Sequence, residues 1–149
     1  MRCKYINKLR GEDYAHKHLE LLNKDSFSII ESFKEHVNLM PGNLLRNALE
    51  RMAATSDAYI YLKNRFIKNY SVLCISGYLL GIGDRHLENF LVNFTTGDVV
   101  SIDFGISFGE GLNLYIPELM PFRLTNVFEN LMFPIGYNGI FRHTMISSL

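Results

Sequence analysis

Apolar residues recur along most of this chain at helical spacing, and the place where that spacing gives way to two short apolar runs marks its most informative stretch. From Glu12 to Asn23, Tyr14, His18, Leu21 and Leu22 fall near one face of a 3.6-residue repeat, which predicts a helix. Asp25 or Ser26 can cap a second helix running through Ile29, Ile30 and Phe33. Met40-Pro41-Gly42-Asn43 breaks the pattern as a loop, and a third helix is expected over Leu44 to Met52, with Leu45, Leu49 and Met52 at helical spacing. Thr55 and Ser56 offer capping hydroxyls to a fourth helix from Asp57 to about Asn69, whose Tyr59, Leu62 and Phe66 stripe reads as core. Tyr70 to Leu80 continues it as a buried helix. Then two short apolar runs follow. Phe90 to Phe94 and Val99 to Ile102 read as strands, joined by Thr95-Thr96-Gly97-Asp98 with its glycine for a positive φ. Phe108 to Pro121 is loop-like, and Leu124–Met132 and Tyr137–Ser148 read as helices separated by Pro134 and Gly136. The pattern predicts a mainly α chain with one β-hairpin, in a single domain spanning 1–149, with no internal repeat or linker.

Polar residues flank that hairpin in a register that suits one kind of chemistry. Asp84 and Asn89 stand as D-x-x-x-x-N just before the first strand, and Asp103 opens Asp-Phe-Gly just after the second. Phosphoryl transfer needs little covalent help but much charge placement: a carboxylate to meet the attacking hydroxyl, and hard oxygen ligands to hold Mg²⁺ against phosphates. A loop that carries a base and a metal ligand five positions apart, followed by an Asp-Phe-Gly, supplies both. The hairpin folds Asp103 back beside Asn89, and Leu91 and Ile102 are expected to form the apolar floor of a nucleotide pocket.

Here the chain resembles a known family. Gly81-Ile-Gly-Asp-Arg-His-Leu, with Asp-Arg-His in place of the usual His-Arg-Asp, is similar to the catalytic loop of the phosphatidylinositol 3-kinase-related protein kinases. Leu73-Cys-Ile-Ser, Ile102-Asp-Phe-Gly and Pro117-Glu-Leu-Met-Pro-Phe-Arg-Leu-Thr125 extend the likeness, which is strongest from about Met40 to Leu149. The resemblance implies the large, C-terminal lobe of a PI3/PI4-kinase-type catalytic domain, using ATP with Mg²⁺, or Mn²⁺ in its place. It implies that Asp84 accepts or orients the proton of the substrate hydroxyl and that His86 lies near the transferred phosphoryl group, with the proton acceptor left open between them. Arg85 would brace the loop, Asn89 and Asp103 would hold the metal, and residues from Asp103 to about Pro121 would form an activation loop that receives protein substrate. Phe104, Gly105, Glu118 and Arg123 belong to that substrate-receiving set, Arg123 as a substrate contact or an anchor. Family members often place His after Asp-Phe-Gly; this chain has Ile106, which removes a polar contact from the loop.

Two parts of a complete kinase are missing from these residues. No G-x-G-x-x-G and no G-x-x-x-x-G-K-[ST] occurs, so the phosphate-covering loop and the strand lysine of a small lobe are absent. The chain is expected to be most of a large lobe cut from a longer protein and, alone, to show no kinase activity and poor solubility.

Bulk properties narrow the setting. Fifteen basic and fifteen acidic residues give no net charge and no electrostatic case for direct nucleic-acid binding; DNA-end-binding partner proteins, reached through regions outside these residues, would have to supply it. Cys3 and Cys74 show neither a disulfide framework nor zinc spacing, and His16, His18, His36 and His143 add no metal-ligand pattern. The longest apolar run, Val72 to Ile82, is far short of the roughly 20 residues of a membrane span. No secretory leader is visible behind Met1, which leaves cytosol or nucleus; the resemblance implies the nucleus and a DNA-damage response. Lys63, Arg65 and Lys68 read as a solvated basic face. A phosphoinositide kinase is the alternative reading, but from Asp103 to Pro121 there is no Lys or Arg to hold an anionic headgroup, and Glu110 and Glu118 are acidic. A catalytically inert scaffold is the third.

Overall fold

The computed structural model describes residues 25–39, 41–115 and 117–149. The helix expected over Glu12–Asn23 lies outside them. Two compact units divide the chain, Met1–Pro41 and Gly42–Leu149. In the first, α1 (Ser26–Leu39) begins after Asp25, whose carboxylate accepts a hydrogen bond from the Ser28 hydroxyl at 2.5 Å.

The second unit is built on helices α2 (Leu44–Met52), α3 (Ser56–Leu80), α4 (Asn126–Met132) and α5 (Ile140–Ser147), and on one antiparallel hairpin of β1 (Phe90–Asn93) and β2 (Asp98–Ser101). Within α2, Leu49 is fully buried and Leu45 packs on the core, but Met52 is exposed because the chain turns extended at Ala53. Thr55 caps α3 by accepting from the Ala58 amide at 3.1 Å, and the 25-residue helix then runs unbroken through the Asn69–Tyr70 boundary. It stops at Gly81, which adopts φ 59°. The Gly81 amide donates to Tyr78 and the Ile82 amide to Gly77, satisfying the last carbonyls as a left-handed stop does.

Only one stripe of α3 is buried: Leu62, Phe66, Ile67, Tyr70, Ser71, Cys74 and Ile75. The expectation of a wholly buried Tyr70–Leu80 segment is therefore corrected, since Val72, Tyr78, Leu79 and Leu80 are each at least 42% exposed. A continuous apolar run on a helix reaches every face, and here the neighbours cover one. The expected solvated basic face is exposed at Arg65 and Lys68, and two of its residues also make polar contacts. Arg65 pairs with Asp98 at 2.6 Å, and Lys63 donates to the Phe133 carbonyl at 2.5 Å.

Those contacts hold the hairpin. Its register pairs Phe90 with Ser101, Leu91 with Val100, Val92 with Val99 and Asn93 with Asp98. The first strand is one residue shorter than expected and the second begins and ends one residue earlier, leaving Phe94 in the loop, because the Asn93 side chain accepts from the Thr95 and Thr96 amides and turns the chain early. Asp98 accepts from Arg65 and from Asn69 at 2.7 Å, which fastens the turn to α3. Gly97 (φ 79°) lies so close to α3 that a Cβ there would meet the Leu62 carbonyl at 2.6 Å. Beneath the hairpin Tyr70 is the hub of an aromatic cluster, with ring centroids 4.3 Å from Phe128, 5.7 Å from Phe90 and 5.9 Å from Phe66. No described helix is long and apolar enough to cross a membrane.

Candidate functional site

The helix stop at Gly81 delivers the chain to Asp84, and both acidic residues singled out in the sequence have unusual backbone conformations. Asp84 has φ 55° and Asp103 φ 57°. Left-handed non-glycine residues are strained by about 1–3 kcal/mol unless their surroundings over-determine them. At Asp84 the surroundings do. Its amide donates to Glu118 Oε2 at 2.7 Å, and its carbonyl accepts from Asn89 Nδ2 at 2.7 Å. With both backbone groups engaged, the carboxylate points away to solvent and stands 3.9 Å from His86 Nε2, each side chain a little over 40% exposed.

Arg85 stitches this loop to the far end of the hairpin. Its Nε donates to the Gly83 carbonyl at 2.7 Å, one terminal nitrogen to the Ile102 carbonyl at 3.0 Å and the Ser101 hydroxyl, and the other to the Asp103 carbonyl. The guanidinium also lies 5.6 Å from the ring centre of Phe104, within cation–π range. A second arginine completes the tie: Arg123 Nε donates to the Arg85 carbonyl at 2.6 Å, while the Tyr70 hydroxyl donates to the Arg123 carbonyl. Arg123 thus anchors the loop from behind. A route of named hydrogen bonds runs from the buried aromatic hub through Arg123 and Arg85 to Asp103.

The donor set around the hairpin suits a hard cation. Asn89 is 6% exposed and uses Nδ2 on Asp84, which leaves its Oδ1 without a donor among the described residues. Asp103 Oδ1 accepts weakly from the Gly105 amide at 3.2 Å and Oδ2 accepts from no described group. The Ile102 amide donates to the Asn89 carbonyl at 3.0 Å, so the two candidate ligands are backbone neighbours across the hairpin's open end. Carboxylate and amide oxygens with room for water and phosphate are what Mg²⁺ prefers. Leu91 and Ile102 sit on the hairpin face turned from the core, 55% and 36% exposed, beside Val100. They make an open apolar shelf rather than an enclosed pocket. A cavity of about 430 Å³ at the α2–α3 junction, lined by Met52, Asp57, Tyr61 and Phe94 among others, contains none of these residues.

The segment after Asp103 is pinned to the loop of residues 81–84 and the end of α3 by its backbone. Gly83 donates to the Ile106 carbonyl at 2.9 Å, Phe108 to Leu80 at 3.0 Å and Gly109 to Gly81 at 3.0 Å. Ile106 takes part through its carbonyl, a contact that does not depend on its side chain. Glu118 returns to the same place, its amide donating to Gly111 at 3.0 Å and its carboxylate meeting Asp84. That contact, and the Tyr70–Arg123 bond, were not read from the sequence. The available signal was local: a glycine on the N-terminal side of Asp84, where any Cβ would come within 2.9 Å of Glu118 Oε2.

Comparison with known proteins places the chain in a family. Residues 2–149 match the family model of phosphatidylinositol 3- and 4-kinase. The chain is 44% identical over 126 residues to the DNA-dependent protein kinase catalytic subunit of Xenopus laevis, covering 84% of this chain and 3% of that protein. It is 37% identical over 109 residues to the serine/threonine-protein kinase SMG1 of Danio rerio, covering 73% and 3%. Among solved structures, the FAT and kinase domain of CtTel1 superimposes with a TM-score of 0.82 at 27% identity, over 94% of this chain and 10% of that one. The chain spans only a few per cent of the length of these curated relatives. On the match of nearly its whole length, and on the mainly helical lobe with one hairpin just described, the chain belongs to the phosphatidylinositol 3- and 4-kinase family, on the branch of the protein kinases related to the DNA-dependent kinase, SMG1 and Tel1.

Proposed function

We propose that this chain is the large-lobe part of a serine/threonine protein kinase that transfers the γ-phosphoryl group of ATP to protein hydroxyls. The observation that carries the reading is the geometry at Asp84: a left-handed backbone fixed by Asn89 and Glu118, with its carboxylate exposed opposite His86. Asp84 and His86 handle the proton of the incoming hydroxyl. Asn89 and Asp103 hold the metal by their side-chain oxygens, and Arg85 keeps the two loops in register from the backbone side. Mg²⁺ bound there supplies the positive charge that offsets what develops on the phosphates. Leu91 and Ile102 offer the nucleotide an apolar floor, and a small lobe outside these residues provides the phosphate-covering loop and lysine. The segment from Asp103 to Pro121 has no Lys or Arg, which favours a peptide over an inositol phosphate as acceptor.

For the parent protein, the likeness to the DNA-dependent kinase supports a nuclear role in repairing DNA double-strand breaks by non-homologous end joining, with DNA-end-binding proteins as partners. The test uses the full-length parent with ATP, Mg²⁺ and a serine peptide. Asp103→Ala is expected to abolish transfer of labelled phosphate with no loss of folded content by circular dichroism. Undiminished transfer would overturn the assignment, and strong phosphorylation of phosphoinositide vesicles by the unmodified protein would replace it with the lipid-kinase reading.

A further inference from the structure

We propose that Glu118 is a positioning residue that couples the substrate-receiving segment to the catalytic carboxylate, and this rests on the kinase reading above. Three observations meet at one point. Glu118 Oε2 accepts from the Asp84 amide at 2.7 Å, the amide that a left-handed residue in a partly buried loop must satisfy. The carboxylate reaches it through a gap that only missing side chains leave open: a Cβ on Gly83 would lie 2.9 Å from Oε2 and 3.1 Å from the Gly111 Cα, and a Cβ on Gly111 would lie 3.2 Å from Oε2. Glu118 is itself oriented, because its own amide donates to the Gly111 carbonyl at 3.0 Å.

The consequence is mechanical. Asn89 fixes the Asp84 carbonyl from the metal side, and Glu118 fixes the Asp84 amide from the acceptor side. The φ of Asp84, and with it the direction of its carboxylate, is set by two side chains that belong to different halves of the site. When the segment around Glu118 is displaced, Asp84 loses the partner that holds its strained conformation and relaxes away from it. Charge is compatible with this role: an anion accepting a backbone N–H makes a short, strong bond. Glu118 therefore acts through Asp84 and needs no contact with substrate.

The experiment compares the full-length parent with its Glu118→Ala, Glu118→Gln and Asp103→Ala forms, measuring kcat and both KM values, together with hydrogen exchange of the peptide containing Asp84. Glu118→Ala is expected to lower kcat about 100-fold, the scale of a misplaced catalytic group, with KM for ATP changed less than about twofold and faster exchange at Asp84. Glu118→Gln, which keeps an accepting oxygen and loses the charge, is expected to recover kcat to within about fivefold of the parent. A Glu118→Ala protein with parental kcat overturns the proposal. So does a raised KM for peptide at unchanged kcat, which would make Glu118 a substrate contact, and so does a Glu118→Gln protein as impaired as Glu118→Ala. Should Glu118→Ala fail to fold, Glu118→Asp keeps the charge and draws the oxygen back by one methylene; a kcat equal to the parent's would overturn the proposal equally. An active Asp103→Ala control, or an inactive parent, sinks the kinase reading itself rather than the coupling.

Discussion

Below the hairpin and at its open end, the same β1–β2 ribbon is held by two different kinds of force. Below, Phe66, Tyr70, Phe90, Phe128 and Phe141 interlock as rings with little direction to their attraction, and several are almost free of solvent. At the open end, Asp84, Arg85, Asn89 and Asp103 are held by hydrogen bonds to backbone atoms, in surroundings that run from buried at Asn89 to exposed at Asp103. Apolar burial gives stability without fixing angles tightly. Directional bonds fix angles and contribute little net stability apiece, near 1 kcal/mol. The division separates two tasks: the rings keep the ribbon folded, and the bonds aim what it carries.

That contrast can be broken at either end. The largest expected effect on folding is Phe66→Ala, which empties a fully buried ring site and should cost about 3–5 kcal/mol, read as a lowered unfolding midpoint of the kinase region. Activity would fall only in step with the folded fraction. Arg85→Lys should do the reverse, leaving the midpoint almost unchanged while kcat of the full-length parent drops about 100-fold, because one ammonium cannot reach Gly83, Ile102 and Asp103 together. A midpoint shift as large as that of Phe66→Ala would erase the distinction. Tyr70→Phe tests a residue that belongs to both regions. It keeps the ring and removes the bond to Arg123, with an expected loss of about 1 kcal/mol and a kcat decrease smaller than that of Arg85→Lys.

The smallest effect is a pH dependence at the hairpin turn. Arg65 beside Asp98 holds its carboxyl down to about 2 against an ordinary 3.8. A group with a depressed folded pKa stabilises above its unfolded pKa, and the contribution is lost as pH falls through the folded one. The unfolding midpoint of the kinase region in the full-length parent should therefore fall slightly more between about pH 4 and pH 2 than in its Asp98→Asn form. Cys74 belongs with the rings: burial pushes its thiol up to about 12, so alkylation of the folded chain at pH 8 should leave it unmodified in mass spectra.

How much of this was legible in the sequence follows the same division. Periodicity located α2 to the residue and found the hairpin to within one position, since short-range spacing decides both. Motif spacing named Asp84, Asn89 and Asp103. It could not show that Glu118 serves the Asp84 amide from 34 positions away, or that Tyr70 reaches Arg123 across 53. Such bonds depend on where the chain returns to itself, and no local preference encodes that. The exposure of Tyr78, Leu79 and Leu80 escaped for a related reason: hydrophobicity reports what a side chain favours, while the neighbours of α3 decide which side is covered.

Gly81 bears on engineering of this lobe more than its lack of chemistry suggests. It ends α3 in a left-handed turn, and a Cβ there would press to 2.6 Å of the Gly109 nitrogen, beside the bond by which Gly109 donates to the Gly81 carbonyl. A single added methyl group would thus unseat the helix exit and prise open the seam behind Asp103 in one stroke, disturbing the site from its backbone side without altering any side chain in it.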